Sequence, residues 1–183
     1  MKILILSSSR EEINPYYKSI ARSISQYLAL VGDLIFGAAS TSMMGICYDE
    51  FAKHNKTIYA YTTPKYIDDL DNLLMAEHFV CRNTFEMKQK MFEEADLIVC
   101  LPGGPGTISE LTSYIEEKRS NDIDKPIIIY DESNYFKSFY EMYDNFINQK
   151  FASKDIFNMY EVAHNKIEFE NLVEEIIFNR KKR

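Results

Sequence analysis

Short apolar runs and longer amphipathic segments alternate along almost the whole chain, and this alternation limits the folds that the chain can adopt. The first run, from Lys2 to Leu6, has the length and composition of a buried parallel strand. The next segment begins at Pro15, carries apolar residues at helical spacing and can end at Gly32. Repeated units of this kind predict an α/β fold, with a parallel sheet and helices on both of its faces.

The same patterns assign the rest of the chain. Further strands are predicted at residues 33–36, 57–61, 77–81, 96–101, 126–130 and 158–162. Further helices are predicted at residues 43–54, 84–94, 107–119, 135–148 and 167–181. Residues 62–76 contain a proline and several acids and are predicted to form a long loop or lid. Since no linker or repeat interrupts the pattern, we expect a single domain over residues 1–183.

Charge and composition exclude several functions. The net charge is −7, from 21 Lys and Arg against 28 Asp and Glu, so we expect no polynucleotide partner. The early apolar run is too short for a signal peptide or a membrane span, so we expect no membrane partner. The three cysteines lack CxxC spacing and predict reduced thiols in a cytoplasmic protein. The three histidines are scattered, so no metal site is predicted.

Glycine is scarce in this chain but concentrated after the fifth predicted strand. Three of the six glycines, Gly103, Gly104 and Gly106, lie in the segment 102–106, which we call the glycine turn. Glycines permit positive φ and remove Cβ atoms, so backbone N–H groups can converge on one point. The next helix is predicted to begin at Thr107, whose hydroxyl can cap it or contact a ligand. A helix N-terminus attracts anions, so the segment is suited to a phosphate.

Glu110 lies three residues into the predicted helix. Its carboxylate can fold back to the helix start, as in a capping box, or project into a cleft. The glycine turn lacks the Lys-Ser/Thr of a P-loop and the spacing of a dinucleotide fingerprint. It can also be a simple connection between strand and helix. Residues 7–10 and 37–42 follow other predicted strands and are expected at the same edge of the sheet.

The stretch from Pro102 to Glu110 resembles the Pro-Gly-Gly-x-Gly-Thr-x-x-Glu signature of the LONELY GUY (LOG) family, also called lysine-decarboxylase-like proteins. Residues 36–45 resemble the family's Tyr-Gly-Gly-Gly-x-x-Gly-Leu-Met-Gly segment, and Ser7 and Ser8 resemble its first turn. The resemblance implies a Rossmann-like fold and a phosphoribohydrolase. Such an enzyme releases a free cytokinin base and ribose 5-phosphate from a nucleoside 5′-monophosphate.

The resemblance also implies roles for particular residues. Glu110 is the expected catalytic carboxylate, which stabilises an oxocarbenium-like transition state beside the ribose. The residues expected to bind the phosphate or the rest of the substrate are Gly103, Gly104, Gly106, Thr107, Ser8, Lys88 and Arg82. No metal or cofactor is needed for this reaction. The implied partner is a small-molecule nucleotide, and the family's usual state implies a homodimer, with the helix from Phe85 to Phe92 as an interface candidate.

The chain departs from the family at one important position. The family's Arg-Lys pair before the signature strand falls on Met87 and Lys88, so the lysine is retained and the arginine is replaced. Arg82 lies nearby in the sequence and is a candidate substitute. Two alternatives therefore accompany the hydrolase hypothesis: a nucleotide-binding module without turnover, and an enzyme like the nucleoside deoxyribosyltransferases.

Overall fold

The computed structural model describes residues 1–121 and 123–182, so residues 122 and 183 of the predicted domain lie outside the described part. The described residues form one sheet of seven strands, paired in parallel throughout. The strands are β1 (Lys2–Leu6), β2 (Asp33–Gly37), β3 (Ile58–Thr62), β4 (Glu77–Val80), β5 (Leu97–Cys100), β6 (Ile127–Tyr130) and β7 (Glu161–Ala163). Their spatial order is β4-β3-β2-β1-β5-β6-β7. The predicted α/β parallel fold is confirmed.

Helices cover both faces of this sheet. They are α1 (Pro15–Val31), α2 (Ser42–Lys53), α3 (Thr84–Glu94), α4 (Pro105–Ser120), α5 (Lys137–Asn148) and α6 (Lys166–Arg180). Side chains of α1, α2 and α6 pack on one face, and those of α3, α4 and α5 pack on the other. In β1, Ile3 and Ile5 contribute to the first core and Leu4 and Leu6 to the second. Alternate residues of a strand point to opposite faces, so a strand covered on both sides is apolar throughout.

The predicted loop at residues 62–76 is more ordered than expected. It contains a 3₁₀ segment, Pro64–Asn72, and a second such segment, Lys154–Met159, precedes β7. Leu70, in the first of these segments, and Leu73, just after it, are buried in the core on one face of the sheet. The hydroxyl of Thr62 also donates a hydrogen bond to the carbonyl of Tyr66 at 3.2 Å. No helix among residues 1–121 and 123–182 has the length and apolar character needed to cross a membrane.

The order in which successive strands are added to the sheet reverses between β1 and β5. The chain runs outward from β1 to β4 on one side, and from β5 to β7 on the other. The loops after β1 and β5 therefore lead to opposite faces and leave a crevice between them, which is where open α/β sheets bind ligands. Leu6 pairs with Cys100, and the N–H of Leu101 donates to the carbonyl of Leu6 at 2.9 Å. This pairing brings the loop of residues 7–10, which follows β1, against the glycine turn.

Candidate active site

The glycine turn ends in an uncapped helix. Helix α4 begins at Pro105 with Gly104 as its N-cap, so the predicted start at Thr107 is wrong by two residues. Proline fits the first helical position because its fixed φ suits a helix and it has no N–H to leave unpaired. In the described part of the chain, no side chain caps α4 and no acid occupies its first turn. The N–H groups of Gly106 and Thr107 are therefore free of intrahelical partners and available to an anion.

The glycines act through the absence of a side chain rather than through unusual backbone angles. Glycine permits positive φ, but no glycine in the described chain adopts it. A Cβ on Gly103 would lie 2.2 Å from Thr107 Oγ1, so only glycine allows this close approach. At Gly104 and Gly106 a Cβ would meet open space. The turn is thus tightly packed at Gly103 and open at its other two glycines.

Thr107 ties the turn to the loop after β1. Its side chain is buried, and Oγ1 donates a hydrogen bond to the carbonyl of Ser7 at 3.1 Å. Of the two alternatives for this hydroxyl, capping is wrong, because Thr107 is the third residue of the helix and its hydroxyl bonds to another loop. Its backbone N–H remains the group that can contact a phosphate.

A cavity of about 310 Å³ opens at the switch point between β1 and β5, and we call it the switch-point cavity. Its lining comprises Ser8, Arg10, Ile13, Asn14, Tyr17, Met43, Pro102, Gly103, Gly104 and Tyr135. The hydroxyl of Tyr135 donates to the carbonyl of Gly103 at 2.8 Å, and the rings of Tyr135 and Tyr17 meet edge to face at 5.4 Å. The cavity therefore combines polar groups at one side with an aromatic wall.

Glu110 lies on the part of α4 that faces α3. Its side chain is half-buried, and no hydrogen bond or ion pair joins it to the other described residues. Burial raises the pKa of Glu110 to about 7, and the positive charge of Lys88 opposes the rise. The capping-box alternative is wrong, because no side chain caps this helix. The structure therefore leaves the carboxylate free for chemistry.

Lys88 reaches α4 from α3. Its Nζ donates to Ser109 Oγ at 2.7 Å, which links the two helices beside Glu110. Burial raises the pKa of Tyr114 and of Cys100, and the negative charge of Glu110 raises both further. The hydroxyl of Tyr114 is buried without a hydrogen-bond partner among the described residues. Burial and the charge of Lys88 therefore set the pKa of Glu110, and its own charge acts on Tyr114 and Cys100.

Arg82 does not join this group. Its side chain is 86% exposed, and Nε pairs with Glu86 Oε2 at 3.1 Å at the start of α3. Met87 stands where the family has its arginine, and a Cβ on Gly37 would lie 3.9 Å from Met87 Cε and 3.5 Å from Met44 Cε. Two methionine side chains therefore extend over the end of β2, and among the described residues helix α3 itself contributes no guanidinium to this region.

The structure brings three of the predicted binding residues, Ser8, Gly103 and Gly104, together around the switch-point cavity, and their predicted role in binding stays a prediction. It adds residues that the sequence analysis did not single out, above all Arg10 and Tyr135. Both lie in loops that follow strands β1 and β6, and the carboxyl ends of parallel strands share one edge. Their position after apolar runs was the available signal. Among the described residues, no three His, Cys, Asp or Glu side chains are grouped so as to hold a metal ion.

A parallel sheet with an open, uncapped helix start at its switch point defines a Rossmann-like protein with a candidate anion site. The chain belongs to the family described as possible lysine decarboxylase, the LOG family, whose model matches residues 37–173. It is similar to the probable cytokinin riboside 5′-monophosphate phosphoribohydrolase LOG4 of Oryza sativa subsp. japonica, at 23% identity over 165 residues, 89% of this chain and 72% of that protein. The Arabidopsis thaliana cytokinin riboside 5′-monophosphate phosphoribohydrolase LOG4 is 23% identical over 155 residues, 83% of this chain and 72% of that protein.

The solved structures of similar fold include proteins that are not named as phosphoribohydrolases. The molybdenum cofactor carrier protein of Chlamydomonas reinhardtii has a TM-score of 0.68 at 14% identity, over 96% of this chain and 97% of that chain. The molybdenum cofactor binding protein of Rippkaea orientalis has a TM-score of 0.69 at 17% identity, over 96% of each chain. These likenesses show the fold.

Proposed function

We propose that this protein hydrolyses the N-glycosidic bond of a nucleoside 5′-monophosphate, releasing the free base and ribose 5-phosphate. Family membership supports the reaction class. The observation that carries the proposal is the state of Glu110, a half-buried carboxyl group without a hydrogen-bond partner among the described residues and with a pKa near neutrality. Buried carboxyl groups with a raised pKa are characteristic of acid–base sites.

The phosphate binds at the start of α4 in this proposal. The free N–H groups of Gly106 and Thr107 and the positive end of the helix dipole supply the attraction. Ser8 contributes from the loop after β1, where its side chain lines the switch-point cavity. The carbonyl of Gly103 already accepts a hydrogen bond from Tyr135, so it is partly shielded from a bound anion. Anchoring of the phosphate would orient the ribose toward Glu110.

The chemistry requires a carboxylate beside the sugar. As the bond between C1′ and the base nitrogen breaks, positive charge develops on the ribose, and the ionised Glu110 stabilises it. Glu110 also accepts a proton from the attacking water, whose oxygen forms the new bond to C1′, and the departing base nitrogen finally receives that proton. A pKa near 7 suits a group that accepts and returns a proton near neutral pH. Lys88 increases the ionised fraction, because its charge lowers the pKa of Glu110.

The test is incubation with a panel of nucleoside 5′-monophosphates, with free base and ribose 5-phosphate separated by chromatography. We expect release by the wild type and a loss of about 100-fold or more in Glu110→Gln. Glu175→Gln, which changes an exposed acid on α6, serves as the matched control and should retain full activity. Equal release by wild type and Glu110→Gln would contradict the proposal. Base exchange between deoxynucleosides without water attack would indicate the transferase alternative.

A second candidate function is nucleotide binding without turnover. The replacement of the family's arginine by Met87 favours it, because that position carries no charge that could assist bond cleavage. Solved structures of the same fold include proteins named as carriers or binders of the molybdenum cofactor, which is consistent with a purely binding role. Saturable binding of a nucleotide in calorimetry, with no product after prolonged incubation, would support this candidate over the hydrolase.

The remaining expectations are proposals of the same kind. A small-molecule nucleotide is the proposed partner, and a homodimer is the proposed state. The three free and buried thiols support a reducing, cytoplasmic location.

A further inference from the structure

Arg10 is an exposed cation on the wall of the switch-point cavity. It shares that wall with Ser8, Gly103 and Gly104, and therefore lies on the side of the site where the phosphate is proposed to bind. The proposed hydrolysis gives Arg10 no role, and the family signature does not include this position. Among the described residues, the cavity's lining contains no other Lys or Arg and no Asp or Glu. Arg10 is therefore the residue that sets the sign of charge in this cavity.

The backbone of Arg10 is held firmly in place. Its N–H donates to Ser8 Oγ at 3.1 Å, and its carbonyl accepts a hydrogen bond from Ser42 Oγ at 2.6 Å. Ser42 has a φ of 54°, in the left-handed region, at a position where the family pattern has glycine. Strain of this kind persists where surrounding contacts fix it, often at functional sites. The loop is further attached to the start of α2 by the hydroxyl of Thr41, which donates to the carbonyl of Ser9 at 2.8 Å.

The charge of Arg10 is available to a ligand. No ion pair joins its guanidinium to a carboxylate in the described part of the chain, whereas the adjacent Glu11 pairs with Lys18 at 3.1 Å. A guanidinium presents several N–H donors in a planar fork that matches the oxygens of a phosphate. In a chain with a net charge of −7, an unpaired arginine at a cavity of this kind is well suited to attract an anion selectively.

We propose that Arg10 is the phosphate-recognising residue of this site and makes it selective for 5′-monophosphates over the corresponding nucleosides. This inference rests on the proposed function, which places the phosphate at the glycine turn. The fixed backbone of Arg10 directs one cation to that phosphate, while Lys88 lies beside Glu110 between α3 and α4. The chain thus keeps a guanidinium in the site but supplies it from the loop after β1 instead of from α3.

The experiment compares calorimetric binding of adenosine 5′-monophosphate and adenosine at about pH 8, where the phosphate is a dianion. It uses a Glu110→Gln background, so that turnover does not consume the ligand. We expect Arg10→Gln to weaken binding of the monophosphate by about 10- to 100-fold and to leave binding of adenosine unchanged. Arg10→Lys should show a smaller loss, because a lysine keeps the charge but not the planar fork.

Arg119→Gln is the matched control, because it removes an exposed arginine that pairs with Glu116 on α4. It should bind both ligands as the background protein does. If the monophosphate binds and Arg10→Gln binds it equally tightly, the role of Arg10 is refuted and the proposed function stands. If the background protein binds neither the monophosphate nor inorganic phosphate, both are refuted. Thermal melting of each variant shows whether a loss of binding reflects a loss of folding.

Discussion

Glu110 changes its charge in the neutral pH range, because burial raises its pKa to about 7. If its carboxylate is the reactive form, kcat/KM should rise with pH up to about 7 and then level off. Lys88 lowers the pKa of Glu110, so Lys88→Gln should move this rise to higher pH, by about one pH unit or less. The measurement is the pH profile of kcat/KM for base release.

Lys90→Gln provides the control for this profile. Lys90 lies on the same helix and pairs with Glu86 at 3.2 Å instead of facing Glu110. Its removal should leave the pH of half-maximal activity unchanged. A profile that is flat between pH 5 and 8 (about the range over which the carboxyl group titrates) would show that ionisation of Glu110 does not control the reaction.

The same raised pKa has a consequence for stability. A carboxyl group with an ordinary pKa of 4.5 and a folded-state pKa of about 7 favours folding most at low pH, and this contribution is lost as pH rises to about 7. Glu110→Gln should therefore be more stable than the wild type above pH 7, by about 2 kcal/mol, because each pKa unit is equivalent to about 1.4 kcal/mol and partial exposure reduces the effect. Urea unfolding at several pH values measures the difference, which should vanish near pH 4.5. An equal difference at every pH would refute the explanation.

At the scale of elements, two glycines of the glycine turn have different roles: Gly103 is needed for packing, and Gly104 borders the binding cavity. Gly103→Ala would place a Cβ 2.2 Å from Thr107 Oγ1, and we expect it to destabilise the fold by about 1–3 kcal/mol. Gly104→Ala has open space around its Cβ, so its stability should stay within about 0.5 kcal/mol of the wild type. Because Gly104 lines the cavity, its new methyl group should still weaken nucleotide binding. Thermal melting and calorimetry measure the two effects, and equal melting temperatures for both variants would contradict this account.

The order of strands and helices could be predicted from the sequence because each element has its own apolar period. The boundaries of β1, α1 and α3 follow directly from apolar runs, prolines and capping residues. The start of α4 was misplaced, because Pro105 forms the first helical position where the sequence pattern indicated a turn. The 3₁₀ segment Pro64–Asn72 was missed, because it depends on Leu70 finding a buried position against the sheet. Contacts of that kind are fixed by the fold as a whole.

In the candidate site too, some residues could be predicted from the local sequence and others are brought together only by the fold. Glu110 and the glycine turn could be found because they are close in sequence and carry a recognisable motif. Arg10 and Tyr135 meet the turn only because β1, β5 and β6 are neighbours in the sheet. A single sequence does not reveal which loops become adjacent when the strand order reverses. The predicted substitute, Arg82, was proposed from its closeness in sequence, and its pairing with Glu86 directs it elsewhere.

At the scale of the whole molecule, the outer surface of α3 and α4 supports the proposed homodimer. A groove of about 780 Å³ lies between these helices, lined in part by Phe85, Phe92 and Tyr114. Phe85 is 84% exposed, and charged residues such as Glu93 and Glu116 line the groove beside the aromatic ones. Exposed aromatic side chains with polar residues around them are a common feature of protein interfaces. The groove also contains Lys88, so a partner chain seated there would lie close to the proposed catalytic carboxylate. Association would then shield Glu110 from water.

We therefore expect size-exclusion chromatography with light scattering to give twice the mass of one chain for the wild type, and Phe85→Ser to shift the protein toward monomer. Phe151→Ser is the matched control, because Phe151 is also 84% exposed but lies after α5, outside the groove. It should leave the mass unchanged. If dimerisation shields Glu110, it should raise the pKa of this group above the value that burial within one chain already gives, so the monomeric variant should have its activity profile at lower pH than the dimer. A monomeric wild type would refute the proposed homodimer but would not contradict the chemistry proposed within one chain.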